Sequence, residues 1–453
     1  MTEKENASVQ AAASKKKKIK AFDTSKKPKN PYFFLMPVEW GGTAAYTIPA
    51  GGKITKINCE GLKPPYLLLA NHASMIDFPM AVKAIFPHKT NWVISIEEFV
   101  GREWLFRGVG GIYKRKFTSD IVVVRHMLRV LKQHRHICTM YPEARYSLAG
   151  INEQLDGGLG SLVKVAKVPV VVLISHGNFL QSPQWNKKPM RKVPVDATFT
   201  QIVTREEAET LTAEEIQRRI EAAFEYDDYR WQRDNNIKIT SVKRANNIHR
   251  ILYKCSSCGK DFTTYSKDTD IWCSECGKRW RMNEYGELHC INGDETFTHV
   301  PDWYRWEREE VRREVREGRY RFEDDVRVEH LDNCKIGFRS IGEMKMTHDE
   351  NGFVIDGMLE EGIKFKFHRS VSSMYSCHIE YDFHGRGDGI DLATLKDTYF
   401  VFPLTARNVL TKIHFATEEL YKYDAEKKAE TKKIPAENTA SESDAAGKAA
   451  AVN

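Results

Sequence analysis

The sequence predicts an α/β domain built on a mainly parallel sheet, then a small cysteine-rich module, then an antiparallel β domain closed by a helix. Three observations predict it. Between about residues 31 and 235, continuous apolar runs alternate with amphipathic helical patterns, as in sheets buried on both faces. From about 250 to 295 the texture changes to cysteines, glycines and aromatics. From about 330 to 423, apolar and polar residues alternate with period two, the mark of strands with one buried face.

In chain order, residues 1–30 hold nine lysines against Glu3, Glu5 and Asp23, including 15-KKKKIK-20 and 26-KKPK-29. That composition reads as a disordered basic tail suited to an anionic surface. It carries most of the net charge of +7, so the remainder is close to neutral. Strands are expected at 66-YLLLA-70, 92-WVISI-96, 137-ICTMY-141 and 170-VVVLI-174. Ile121, Val124, Leu128 and Leu131 have helical spacing between two of them. A further helix is expected from Thr212, capped with Glu215, with Ile216, Ile220, Ala223 and Phe224 as its buried stripe.

These elements make 31–235 one domain, and 236–300 the cysteine module. A helical linker over 301–329 has Pro301 in its first turn and Trp303, Val311 and Val315 on one side. In the β domain, 330–423, strands are expected at 363-IKFKF-367 and 379-IEYDF-383, with a hairpin at 349-DENG-352. Val409, Ile413, Ala416 and Leu420 share a face of its closing helix. The pattern resembles a pleckstrin-homology-like barrel. Residues 424–453, rich in Ala, Glu, Lys and Ser, read as a second disordered tail.

At 453 residues and 41% hydrophobic, the chain can bury a large core. No 18-residue apolar run predicts a transmembrane helix, and no cleavable signal is recognisable before 32-YFFLMPVEW-40. The expected location is the cytoplasm, peripheral on the cytoplasmic face of the membrane. Nine cysteines, four of them in CxxC pairs, fit a reducing compartment better than a disulfide framework.

The chemistry sits where strands end. His72 and Asp77 follow the first apolar run within 71-NHASMID-77. In one regular helix, five residues apart, they would point about 140° away from each other. They can touch only if His72 lies in the turn and the helix starts after it. A carboxylate on one ring nitrogen then fixes the tautomer and leaves the other basic, as a general base acting on a hydroxyl requires. Downstream come 110-GGIYKRK-116, with consecutive cations at Lys114, Arg115 and Lys116, then 141-YPEARYS-147, then 168-VPVVV-172.

In that order and spacing the four blocks resemble the glycerolipid acyltransferase superfamily, most closely the lysophosphatidic acid (1-acylglycerol-3-phosphate) acyltransferases, over about residues 31–200. The first matches N-H-x-S-x-x-D at each fixed position. The resemblance implies His72 as base on the acceptor hydroxyl, with Asp77 orienting it. The second follows G-x-x-x-x-x-R, which from Gly110 places the basic role on Lys116, with Arg115 just before it. The third reads F-P-E-G-x-R-S in the family. Here Pro142, Glu143 and Ser147 fit, Ala144 replaces glycine, Arg145 stands one position early, and Tyr146 stands where arginine is usual. In the fourth, Val168-Pro169 fits a proline-led wall strand. Arg115, Lys116, Glu143, Arg145 and Ser147 are thereby the substrate-binding candidates.

The resemblance implies transfer of a fatty acyl group from acyl-CoA or acyl-carrier protein to the free hydroxyl of 1-acylglycerol-3-phosphate, giving phosphatidic acid. Another lysolipid or glycerol-phosphate acceptor is the alternative, as is an adaptor without turnover. A thioester is already activated, so a base and cations to hold the acceptor's phosphate suffice, and no catalytic cofactor is expected. Contact with an anionic membrane surface is expected at 32-YFFLMPVEW-40, at 99-FVGREWLF-106 and along the basic tail.

Cys255, Cys258, Cys273 and Cys276 form two CxxC knuckles with Gly259 and Gly277 just after them, the spacing of a zinc ribbon. Four thiolates leave no position for a reacting water, so the expected zinc is structural. Lys254, Lys260, Arg279 and Arg281 raise a nucleic-acid-binding alternative, but Asp261, Asp268, Asp270 and Glu275 among them argue against it. Cys59, Cys138, Cys290, Cys334 and Cys377 lack comparable spacing.

Overall fold

The computed structural model describes residues 21–449 except Met75, with side chains described to Thr431. The expectations for residues 1–20 lie outside the described residues.

The first domain is a seven-stranded sheet of β1 (Lys53–Ile57), β2 (Leu67–Ala70), β3 (Thr90–Ser95), β4 (Ile112–Lys114), β5 (Ile137–Met140), β6 (Val170–His176) and β7 (Asp196–Val203), in the order β1-β7-β6-β2-β5-β3-β4. Only the β6–β7 pairing is antiparallel. Four strands stand close to where the apolar runs predict them, and β1, β4 and β7 were not foreseen. β2 shows why its run is unbroken. Leu67 and Leu69 face one core with Val123, Met127 and Leu159, while Leu68 and Ala70 face another with Met80, Ala81 and Ile85. Both faces of the central strand are therefore dry.

The cysteine module is a four-stranded antiparallel sheet of β8 (Thr264–Lys267), β9 (Asp270–Cys273), β10 (Arg279–Met282) and β11 (Leu288–Cys290). The helix Val300–Arg316 follows, burying Trp303, Val311 and Val315 as expected. The last domain is an antiparallel sheet of β12 (Phe322–Leu331), β13 (Arg339–Asp349), β14 (Gly352–Met358), β15 (Lys364–Arg369), β16 (His378–Glu380), β17 (Gly389–Ala393) and β18 (Thr398–Pro403). Its order, β15-β14-β13-β12-β18-β17-β16, has no pairing between β15 and β16 among the described residues. The hairpin falls where predicted, with Asp349 paired to Gly352.

Parts of the two tails, residues 21–30 and 424–449, lie within the described residues. Phe22 is buried against Phe99 and Tyr113, and its N–H donates to Asn333 Oδ1 at 3.2 Å. One aromatic thus ties residues 21–30 to the β domain. At the other end the closing helix runs over Leu410–Ala449.

The domains share cores. One cluster joins Ala73, Phe117 and Leu148 to Trp280 and Trp303 and on to Val328, Tyr399 and Phe415. Another joins Ile96, Phe99 and Tyr113 to Leu331, Phe400 and Phe402. The β domain is therefore packed firmly against the first domain. Among the described residues, no helix is long and apolar enough to cross a membrane.

Candidate functional site

The site is assembled at the carboxyl ends of β2, β5 and β6. Asn71 locks the exit of β2 to β6: its Nδ2 donates to Ser175 O at 2.9 Å, and Ser175 N donates to its Oδ1 at 2.8 Å. His72 then lies outside the strand, and the helix Asp77–Ile85 begins after it, the arrangement that the His72–Asp77 spacing requires. Asp77 folds back so that its Oδ2 lies 2.9 Å from His72 Nδ1 and accepts the N–H groups of Ala73 at 2.6 Å and Ser74 at 2.9 Å. Its Oδ1 accepts from Asn178 Nδ2 at 2.8 Å.

With Nδ1–H donated to a carboxylate that is 2% exposed, the tautomer leaves His72 Nε2 as the acceptor. The ring, 21% exposed, is held between Tyr141, stacked at 4.2 Å, and Tyr146, at 4.1 Å and tilted by 40°. A tyrosine at position 146 thus serves as an aromatic wall where a cation was expected from the family pattern.

Glu143 and Ser147, expected at the substrate, are both fully buried. Glu143 Oε2 accepts the His72 N–H at 2.8 Å and Oε1 accepts the Glu153 N–H at 3.0 Å, so both oxygens face backbone. Burial pushes its carboxyl up to about 8 against those two donors. Ser147 N donates to His72 O at 2.7 Å, and its hydroxyl donates to Ile151 O at 2.7 Å. These residues brace the backbone that carries the imidazole. Ala144, in the family's glycine position, has φ of +55°, the left-handed conformation for which glycine is the default.

The three cations expected at an acceptor phosphate are directed elsewhere. Arg115 is buried, with Nη1 donating to Thr398 Oγ1 at 2.6 Å and to Leu331 O at 3.1 Å. Arg145 is buried among Ser376, Glu153 at 3.0 Å and Glu418 at 2.7 Å. Lys116 Nζ lies 2.8 Å from Asp391, 3.3 Å from Glu380 and 3.9 Å from Glu97. Burial opposes its charge, but Asp391, Glu97 and Glu380 hold its ammonium well above the usual lysine range. Burial likewise opposes ionisation of Glu380, yet Lys116 holds that carboxyl well below the usual range. Each cation is therefore bonded to the β domain or to the helix that closes it.

Sequence reasoning missed Asn178, Tyr141, Ser376, Glu380, Asp391 and Glu418. Asn178 had one signal, a polar residue just past the apolar run of β6. The others come from a distant part of the chain or face the site only through a stacking contact.

The four expected cysteines converge. Their sulfurs lie within 4.8 Å of one another, with Cys255 Sγ 3.7 Å from Cys276 Sγ and Cys258 Sγ 3.8 Å from Cys273 Sγ. The edge of a tetrahedron with metal–sulfur bonds of ~2.3 Å is about 3.8 Å. Gly259 and Gly277 adopt φ of +72° and +70°, turning each knuckle back on itself. The N–H groups of Ser257 and Cys258 point at Cys255 Sγ, at 3.4 and 3.5 Å, as suits a thiolate. The cluster can hold a metal ion.

Residues 52–175 match the acyltransferase family. Among solved structures, the chain is similar to the 1-acyl-sn-glycerophosphate (LPA) acyltransferase PlsC from Thermotoga maritima, with 16% sequence identity and a TM-score of 0.33, over 42% of this chain and 77% of that one. No curated protein matches the chain.

Proposed function

We propose that the protein, whose residues 52–175 match the acyltransferase family, transfers a fatty acyl group from acyl-CoA or acyl-carrier protein to a free hydroxyl of a lysolipid. The observation that carries this reading is the His72–Asp77 contact at 2.9 Å, with Asp77 anchored at both oxygens. His72 Nε2 takes the hydroxyl proton as the oxygen attacks the thioester carbonyl, and Asp77 stabilises the imidazolium that forms. The C–S bond then breaks, and the imidazolium gives its proton to the departing thiolate. Glu143 and Ser147 act as positioning residues through the backbone of His72.

The acceptor named by the resemblance is 1-acylglycerol-3-phosphate, giving phosphatidic acid. A second reading keeps the reaction and changes the head group; the ion pairing of Lys116 and Arg145 favours it, because neither is left uncompensated for a phosphate. Zinc, held by Cys255, Cys258, Cys273 and Cys276, would be structural, since all four positions are filled by thiolates. We assign membrane contact to Phe33, 78% exposed, with Phe34, Val38 and Trp104, on two segments joined where Tyr32 N donates to Gly108 O at 2.8 Å. Incubating purified protein with labelled acyl-CoA or acyl-carrier protein and a panel of lysolipids tests the reading. A labelled diacyl product supports it, and no product from any pairing overturns it.

A further inference from the structure

The β domain lies outside the matched acyltransferase segment, yet it reaches the catalytic histidine's surroundings. Tyr146 lies against His72 with ring centroids 4.1 Å apart, and the His378 ring of β16 lies 6.1 Å from Tyr146. His378 Nε2 is 3.3 Å from Glu380, which pairs with Lys116. A continuous line of side chains therefore runs from the base to the carboxylates of β16 and β17.

We propose that this edge of the β domain is the head-group wall of the acceptor site, and that Glu380 selects a lysolipid whose phosphate is esterified by an amino alcohol over one ending in a phosphate monoester. The inference rests on the acyl-transfer reading of His72.

The charge balance carries the argument. Lys116 faces Glu97, Glu380 and Asp391. The next cation, Lys187, is in the field of Glu380, Asp382 and Asp388, and Arg250 is paired with the last two. Five carboxylates, Glu97, Glu380, Asp382, Asp388 and Asp391, thus face four cations, Lys116, Lys187, Arg250 and Arg115, the last being in the field of Glu97. A phosphate monoester dianion would have to displace a carboxylate from Lys116 and sit beside the others. An ammonium meets the opposite field.

Two buried acceptors reinforce this. Asp391 Oδ1 and His378 Nδ1 have no hydrogen-bond partner among the described residues, and both residues are more than nine-tenths buried. Such unpaired acceptors add to the negative field behind Glu380, which suits a cation over an anion at its exposed side. Of the carboxylates that pair most closely with Lys116, Glu380 is 18% exposed and Asp391 is 1% exposed, so Glu380 is the one a head group can reach. The wall is fixed, because Arg115 and Arg145 tie it down and the cores are continuous across it.

The test uses the full-length protein and two lysolipids with the same acyl chain, 1-acylglycero-3-phosphoethanolamine and 1-acylglycero-3-phosphate. Turnover with labelled acyl-CoA is expected to favour the amine by about tenfold in kcat/KM. In Glu380→Gln that preference is expected to fall toward unity through KM, whereas Glu380→Asp retains it. Binding of both lysolipids to His72→Ala protein in neutral micelles is measured in parallel and should rank them in the same order. A phosphate-monoester preference, or equal binding of the two, overturns the proposal. If neither lysolipid is acylated, the acyl-transfer reading fails on its own, and the binding ratio still decides the head-group claim.

Discussion

Asn178 Nδ2 donates to Asp77 Oδ1 at 2.8 Å, so the carboxylate beside His72 is held from β2 and from the exit of β6 at once. Without Asn178, Asp77 keeps its bonds to Ala73 and Ser74 but can rotate about them. Asn178→Ala should lower kcat by about 10–100-fold with little change in KM, the scale seen for groups that orient a reacting residue. Steady-state kinetics check this. Loss confined to KM would contradict a positioning role.

Ala144 occupies the left-handed region at φ of +55°. For a residue with a Cβ this costs about 1–2 kcal/mol, partly offset by the greater freedom of glycine in the unfolded chain. Ala144→Gly should therefore stabilise the protein by about 0.5–1 kcal/mol. Denaturant unfolding measures it, and destabilisation of that size would contradict the account.

His348 is buried in the β domain, stacked on Phe353 at 3.8 Å, with the Tyr320 hydroxyl hydrogen-bonded to its Nδ1 at 2.9 Å. Burial pushes its imidazole down to about 3. The unfolded ring takes a proton near pH 6.5, while the folded one does so only near pH 3. Stability from this group is therefore full above about pH 6.5 and is lost on acidification, at about 1.4 kcal/mol per pH unit. His348→Gln should remove that slope between pH 6 and 4, which lies between the two values, as read by urea unfolding at each pH.

The metal cluster predicts one zinc per chain in protein purified without chelator. Changing Cys255 and Cys276 together to serine should abolish metal binding and lower the melting temperature, because closure of the two knuckles depends on it. Metal analysis decides: absence of zinc from the unmodified protein contradicts the assignment.

What was legible in the sequence followed from local physics. β2, β5 and β6 are short apolar runs buried on both faces, and a run needs no partner to be read. β1, KITKI, is an edge strand with lysines and little burial, and nothing in it distinguishes a strand from a loop. The His72–Asp77 contact was legible because five residues of chain constrain both ends. The fate of the cations was not. Arg115 meets Thr398 across 283 positions and Lys116 meets Asp391 across 275, so motif spacing names the residues but says nothing of what neutralises them. Phe22 was hidden for the same reason, since it packs on Phe99 and Tyr113 and its N–H finds Asn333 across 311 positions.

Whether His72 is the base for acyl transfer is decided by turnover of His72→Ala beside the unmodified protein, using labelled acyl-CoA and the best lysolipid acceptor. The account predicts a fall of about 10²–10⁴ in kcat with folding and metal content unchanged. Turnover retained within a few-fold would contradict it.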